Sequence, residues 1–213
     1  MLSPHDAHTG FFMDHYQIIS GRFQAAIETI AQSVDILADP LAESSALLTQ
    51  ALLADRKIIT CGNGSDAALA QLFASKLLDR FEQDRPALPA MALTADTASL
   101  TAIALQEGLE EIYSRQIRAL GQSGDILLCI ASGLPATNLQ KAIAAAHERN
   151  MAVIILSTTA DEHLPRLLAD GDFALVIDSQ RQTLATELHL MVLHALCELV
   201  DNNIFGNYNG SNP

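Results

Sequence analysis

The sequence predicts an α/β fold, a three-layer αβα sandwich around a five-stranded parallel sheet with a helical arm at its N-terminus. Three observations carry this. Five short and almost continuously apolar runs, at 57–61, 87–93, 126–130, 152–157 and 173–177, read as strands buried on both faces. Helical patterns separate them, and strands alternating with helices at this spacing form parallel βαβ units. Of the 213 residues 49% are hydrophobic but only 5% aromatic, which suits an Ala- and Leu-rich α/β domain rather than a disordered or disulfide-built chain.

Residues 1–13 are expected to form a flexible N-terminus. From about Asp14 to Ala38, Phe23, Ile27, Ile30, Val34 and Leu37 recur at alternating four- and three-residue steps, the seam of a helix that packs on other helices. Asp39-Pro40 should end that helix, and a second one near 42–54 would complete a helical hairpin leading into the first strand. These parts and the sheet make a single domain over 14–205, followed by a flexible tail at 206–213.

The first strand runs straight into Gly62, Asn63, Gly64, Ser65 and Asp66 and then an apolar helix, the layout of a phosphate-cradling turn. Such a turn offers free backbone N–H groups and the positive end of a helix dipole to an anion. Here Asp66 stands where the anion would sit. At about 5 Å and an effective dielectric of about 20 it would repel each unit of phosphate charge by roughly 3 kcal/mol. Asp66, or Ser65 beside it, is placed to cap those N–H groups from within the chain. Ligands of such sheets bind at the C-terminal strand ends, where Gly62–Asp66 and the loop of Ser132 and Thr137 both fall.

The last helix is expected over 183–203. Leu184, Leu188, Val192, Ala195 or Leu196, and Leu199 form one apolar stripe, whereas Glu187, Met191, His194 and Glu198 form another face. Leu190, Leu193 and Cys197 widen the apolar surface beyond one sheet contact, which points to oligomerisation through helices. His194 and Glu198 are spaced as an i,i+4 pair. Beyond this helix, Ile204 and Phe205 are adjacent large hydrophobes in a polar tail that either tucks back or meets a partner.

The balance of 12 Lys+Arg against 25 Asp+Glu gives a net charge of -13, which argues against direct nucleic-acid binding. Cys61, Cys129 and Cys197 are far apart in the chain and read as buried free thiols in a reducing compartment. With no basic start and no stretch reading as a membrane span, the expected location is cytoplasmic, away from any membrane. No metal or cofactor site emerges. His5, His8 and His15 lack a carboxylate pattern, and His189 and His194 are five apart and point in different directions. Lys76, Arg80 and Arg85 are expected to be solvated or paired with Glu82 and Asp84.

Several strings occur in order: Cys61-Gly-Asn-Gly, Arg80-Phe-Glu, Arg85-Pro-x-Leu-Pro-Ala90, Leu100-Thr-Ala-Ile-Ala104, Arg118-Ala-Leu-Gly121, Gly124-Asp-Ile-Leu-Leu128 and Leu199-Val-Asp-Asn. Together they resemble the flavodoxin-like sugar-isomerase (SIS) domain family over residues 20–205. Within it the chain looks closer to the DnaA initiator-associating branch (DiaA) than to the phosphoheptose isomerases. In the isomerases the resemblance implies a phosphosugar held by hydroxyls in two loops and a Glu and a His moving a proton between C1 and C2 of the sugar. His194 matches that His. Asp66 replaces a loop Ser, Lys76 replaces the Glu, Thr186 replaces a Gln, and only Ser132 and Thr137 keep hydroxyls near the second loop's pattern. Losing one of two proton-transferring groups costs about 10²–10⁴ in rate, so the site reads as degenerate and the chain as not an enzyme.

The DiaA resemblance implies a homotetramer that binds the replication initiator DnaA through a surface including Ile204 and Phe205 and promotes its assembly at the origin. Several such anchors on one tetramer would raise the local concentration of bound initiators. The alternatives are an aldose–ketose isomerase of the sedoheptulose 7-phosphate type, or a module that binds a sugar phosphate without turnover. Gly62, Asn63, Gly64, Ser65, Asp66, Ser132 and Thr137 are the residues that would hold such a ligand.

Overall fold

Successive strand residues point to opposite faces of a sheet, so a strand that is apolar at every position must be covered on both. A computed structural model, which describes residues 4–133 and 136–206 with side chains from residue 15 onward, has that arrangement. The strands are β1 (Ile58–Gly62), β2 (Ala90–Ala92), β3 (Ile126–Ile130), β4 (Ala152–Thr158) and β5 (Phe173–Ile177). All pair in parallel, in the order β2-β1-β3-β4-β5. Ile58, Ile126, Leu128 and Ile154 enter one core layer, while Ile59, Leu127, Cys129 and Val153 enter the other.

The helices are α1 (Pro4–Leu53), α2 (Ser65–Leu78), α3 (Thr97–Glu107), α4 (Ser114–Leu120), α5 (Thr137–Glu148) and α6 (Gln182–Phe205), with 3₁₀ turns at Leu109–Glu111 and Leu164–Leu167. Residues from α1, α2 and α6 fill one layer and residues from α4 and α5 the other. The chain leaves β1 toward one edge of the sheet, and β3 returns on its other side. The order therefore reverses between β1 and β3, and the crevice of a doubly wound sheet opens there.

Two expectations for the N-terminus are corrected. In place of a hairpin, α1 is one helix of 50 residues with Pro40 inside it. An interior proline costs about 3 kcal/mol by removing one hydrogen bond and crowding the carbonyl four residues back. That carbonyl belongs to Ile36, an exposed residue, so water can meet it. Packing on α6 and β5, with Leu37 and Leu48 buried, holds the helix on both sides of the proline. The same helix takes in residues 4–13; residues 1–3 and 207–213, most of the expected tail, lie outside the described residues.

Ile30 and Leu37 of the predicted seam pack on the core, whereas Phe23, Ile27 and Val34 are exposed. The surplus on α6 is mostly consumed within the chain: Leu193 and Cys197 are fully buried, on a helix that touches both α1 and α2. Burial lifts the Cys197 thiol to about 12. Contrary to the sequence expectation, α6 is long and apolar enough to cross a membrane. It serves here as a core helix, with Leu184, Leu188, Val192, Leu196 and Val200 buried.

Arg85 fastens this helix to α2. Its buried guanidinium pairs with Asp201 of α6 at 2.8 Å and donates to the Leu77 and Lys76 carbonyls, which the end of α2 leaves without helical partners. Pairing with Asp84, expected for this cluster, is made by Arg80 at 2.7 Å. Removing one member of a buried pair leaves the other desolvated and uncompensated. Arg85→Met should therefore lower unfolding stability by about 3 kcal/mol or more, measured by urea denaturation, and Arg85→Met with Asp201→Leu should recover part of that loss.

Candidate functional site

The turn after β1 is shaped by two glycines. A Cβ on Gly62 would lie 2.7 Å from the backbone of Asp66, so α2 can start this close only above glycine; Gly64 has φ +58°. Asp66 and Ala67 donate to the carbonyls of Asn63 and Gly64, and no side chain caps α2. The expected capping by Asp66 or Ser65 is thus corrected. Ser65 is exposed, whereas Asp66 is buried and turned toward the next loop.

There the Asp66 Oδ2 accepts from the backbone N–H of Ser132 at 2.8 Å and from its hydroxyl at 2.9 Å. Gln182, at the start of α6, reaches the same hydroxyl at 3.4 Å. A second tie lies beside it. The side-chain amides of Asn63 and Asn138 exchange two hydrogen bonds of 2.9 Å, and the Tyr113 hydroxyl donates to the Gly62 carbonyl. Burial raises the Tyr113 phenol well above its ordinary value, which keeps it a donor.

Next to these ties a cleft of about 660 Å³ is lined by Asn63, Leu109, Glu110, Ala136, Thr137, Asn138 and Lys141. Thr137 is the first residue of α5, and no side chain caps that helix. Thr137 and Asn138, at the helix end where the first N–H groups lack helical partners and the dipole is positive, line this ligand-sized space. Lys141 is the cleft's cation. It bonds Glu111 at 2.6 Å, and that bond, aided by one from Ser114, draws the Glu111 carboxyl down to about 2.

Beneath the turn, His189 is fully buried on α6 with Nε2 3.3 Å from the Ser157 carbonyl. A carbonyl can only accept, so Nε2 carries the proton and Nδ1 is left as an acceptor when the ring is neutral. Among the described residues neither His189 Nδ1 nor Asp66 Oδ1 has a hydrogen-bond partner. Burial pushes His189 below its ordinary value of 6.5, only partly opposed by its bond to Ser157 and by the Asp66 charge.

Of the expected ligand residues, the fold joins Asp66 to Ser132 and puts Asn63 and Thr137 in the same cleft. His194 is elsewhere. It lies twelve residues along α6 from Gln182, about 18 Å down the helix axis, tilted against Phe81 at 5.4 Å between ring centroids. No hydrogen bond joins it to Glu198 among the described residues, so the expected i,i+4 pair is not formed. Ile204 and Phe205 fall in the last turn of α6, half-buried and packed on the core, rather than in a tail beyond it. Asn138, Tyr113, Lys141 and His189 had been given no role in the site. A polar pair, Thr137-Asn138, opening a helix after a buried strand was the one local signal available.

A parallel sheet of this order, with its crevice between the ends of β1 and β3, defines the flavodoxin-like class of doubly wound α/β proteins. Residues 22–158 match the SIS domain family, and the chain belongs to it. Particular relatives are closer. The chain is 42% identical to the phosphoheptose isomerase of Alkalilimnicola ehrlichii over 91% of its own length and 99% of the relative's, and 41% identical to that of Chromohalobacter salexigens over 91% and 98%. The phosphoheptose isomerase structure from Francisella tularensis superposes with a TM-score of 0.85 at 33% identity, covering 88% of this chain and 98% of that one.

These likenesses overturn the expectation of a non-catalytic scaffold for DnaA. Similarity over nearly the full length runs to proteins named as an enzyme, and the residues expected to anchor DnaA are packed on the chain's own core.

Neutral His189 has a consequence for stability. Its folded value lies below 6.5, so between the two the unfolded chain binds the extra proton and stability falls as the pH is lowered. The contribution is complete above about 6.5 and is lost as pH drops toward the folded value. His189→Gln should narrow the gap in melting temperature between pH 7.5 and pH 5.5; calorimetric scans at both values check it.

Proposed function

We propose that this chain is an aldose–ketose isomerase acting on a phosphorylated sugar of the sedoheptulose 7-phosphate type, in the cytoplasm. The observation that carries this is identity of 39–42% with proteins named phosphoheptose isomerase, over 88–91% of this chain. The phosphate would sit at the start of α5, held by the N–H groups of Thr137 and Asn138 and the Thr137 hydroxyl. Asn63 and Asn138 would meet sugar hydroxyls.

His194 is the proton-transferring group. One base must take a proton from C1 of the ketose to leave an enediol, and an acid must return one at C2. Lys76, at the position where the isomerases carry their Glu, lies on α2, and its charge is felt at Cys197, one turn from His194 on α6. Neither residue lines the α5 cleft, and His194 lies about 18 Å along α6 from Gln182, so on this reading a second copy of the chain brings its His194 to the cleft of the first. The unpartnered apolar stripe of Phe23, Ile27 and Val34 on α1 supports such an assembly, and we propose a homotetramer. The net charge of -13 speaks against nucleic acid as a partner.

Asp66, which holds the Ser132 donors for itself, favours a second reading: a module that binds a sugar phosphate without converting it. One experiment separates the two. With sedoheptulose 7-phosphate supplied, the wild type should form the aldose, and His194→Ala should slow it by about 10²–10⁴ with the oligomer unchanged by light scattering. Thermal stabilisation by the sugar phosphate without turnover supports the module. Absence of both rejects each reading.

A further inference from the structure

Asp66 is an expensive way to tie two loops together. It is 5% exposed, no ion pair reaches it among the described residues, and Oδ1 has no hydrogen-bond partner. A neutral side chain would hold Ser132 without a desolvated charge and an orphaned oxygen. The donors it meets are what makes the choice intelligible. A backbone N–H at 2.8 Å and a hydroxyl at 2.9 Å converge on one carboxylate oxygen, at the end of the central strand β3 and beside the uncapped α5. Converging N–H and O–H donors of this kind hold a phosphate oxygen equally well.

We propose that Asp66 is a resident anion, a side chain whose own carboxylate takes the Ser132 donors beside the cleft and thereby sets how strongly this protein holds phosphorylated ligands. The inference rests on reading the strand ends as a sugar-phosphate site. With Asp66 in place, an incoming phosphate has only the N-terminus of α5, and it meets a like charge from the neighbouring loop. Phosphate is then bound loosely, and recognition falls to the sugar hydroxyls at Asn63 and Asn138. The fixed carboxylate also selects among ligands. Monoanionic or singly phosphorylated compounds are penalised less than bisphosphates.

Inorganic phosphate is the probe. Titrated calorimetrically into the full chain, it should bind Asp66→Ser at least tenfold more tightly than wild type, equivalent to about 1.4 kcal/mol. Adding Ser132→Ala to that variant removes the hydroxyl and keeps the backbone N–H, and should reduce the gain. Equal affinities for wild type and Asp66→Ser, or a gain undiminished by Ser132→Ala, would overturn the proposal. If Asp66→Ser does not fold, Asp66→Asn keeps the shape and removes the charge. It should gain about threefold, and no gain there overturns the proposal as well. Isomerase turnover is not part of this readout, so a failure of the proposed reaction and a failure of the resident anion are told apart.

Discussion

The turn after β1 and the loop after β3 leave adjacent strands at the point where the strand order reverses, and everything at the candidate site depends on how those two segments are held. Two contacts hold them: the Asp66 carboxylate on Ser132 and the paired amides of Asn63 and Asn138. Gly62 makes the approach possible, because any Cβ there would collide with the first turn of α2. From this crossing follow the start of α2, the open N-terminus of α5 and the cleft between them. The contact to Gln182 carries the same constraint into α6.

Helix α6 then connects regions of different character. Its first turn touches the strand ends, its middle buries His189 beneath them, and its last turns are fixed to α2 through Arg85 and Asp201. Ile204 and Phe205 are thereby covered, while Phe23, Ile27 and Val34 of α1 and Met191 of α6 stay exposed. The same helix carries His194 twelve residues beyond Gln182, against Phe81 and outside the lining of the α5 cleft.

Most of the fold was readable in the sequence. Five strands were placed within a few residues, because runs such as Ile126–Ile130 have no polar position and their flanks carry turn residues. The resemblance strings identified the family. Pro40 misled, since a proline is a local stop signal whereas the packing that carries α1 past it is non-local. The partner assignment failed for a related reason. An Ile-Phe pair followed by Gly and Asn reads as a loose tail, and only its contacts reveal that it is the end of a core helix.

Residue types and spacing were sufficient for the sheet, for the glycine turn, and for an aspartate standing at an anion's position. They could not say which donors that aspartate takes. Ser132 is 66 residues away from Asp66, and an aspartate at the second position of a helix is, by local rules, an N-terminal capping residue. Folding brought β3 beside β1 and offered two donors outside the helix, and a carboxylate bonds where the donors converge. The same holds for His189 and His194. Their spacing of five put them on different sides of α6, but whether a side faced a core, a cleft or another subunit was decided by the elements packed around the helix.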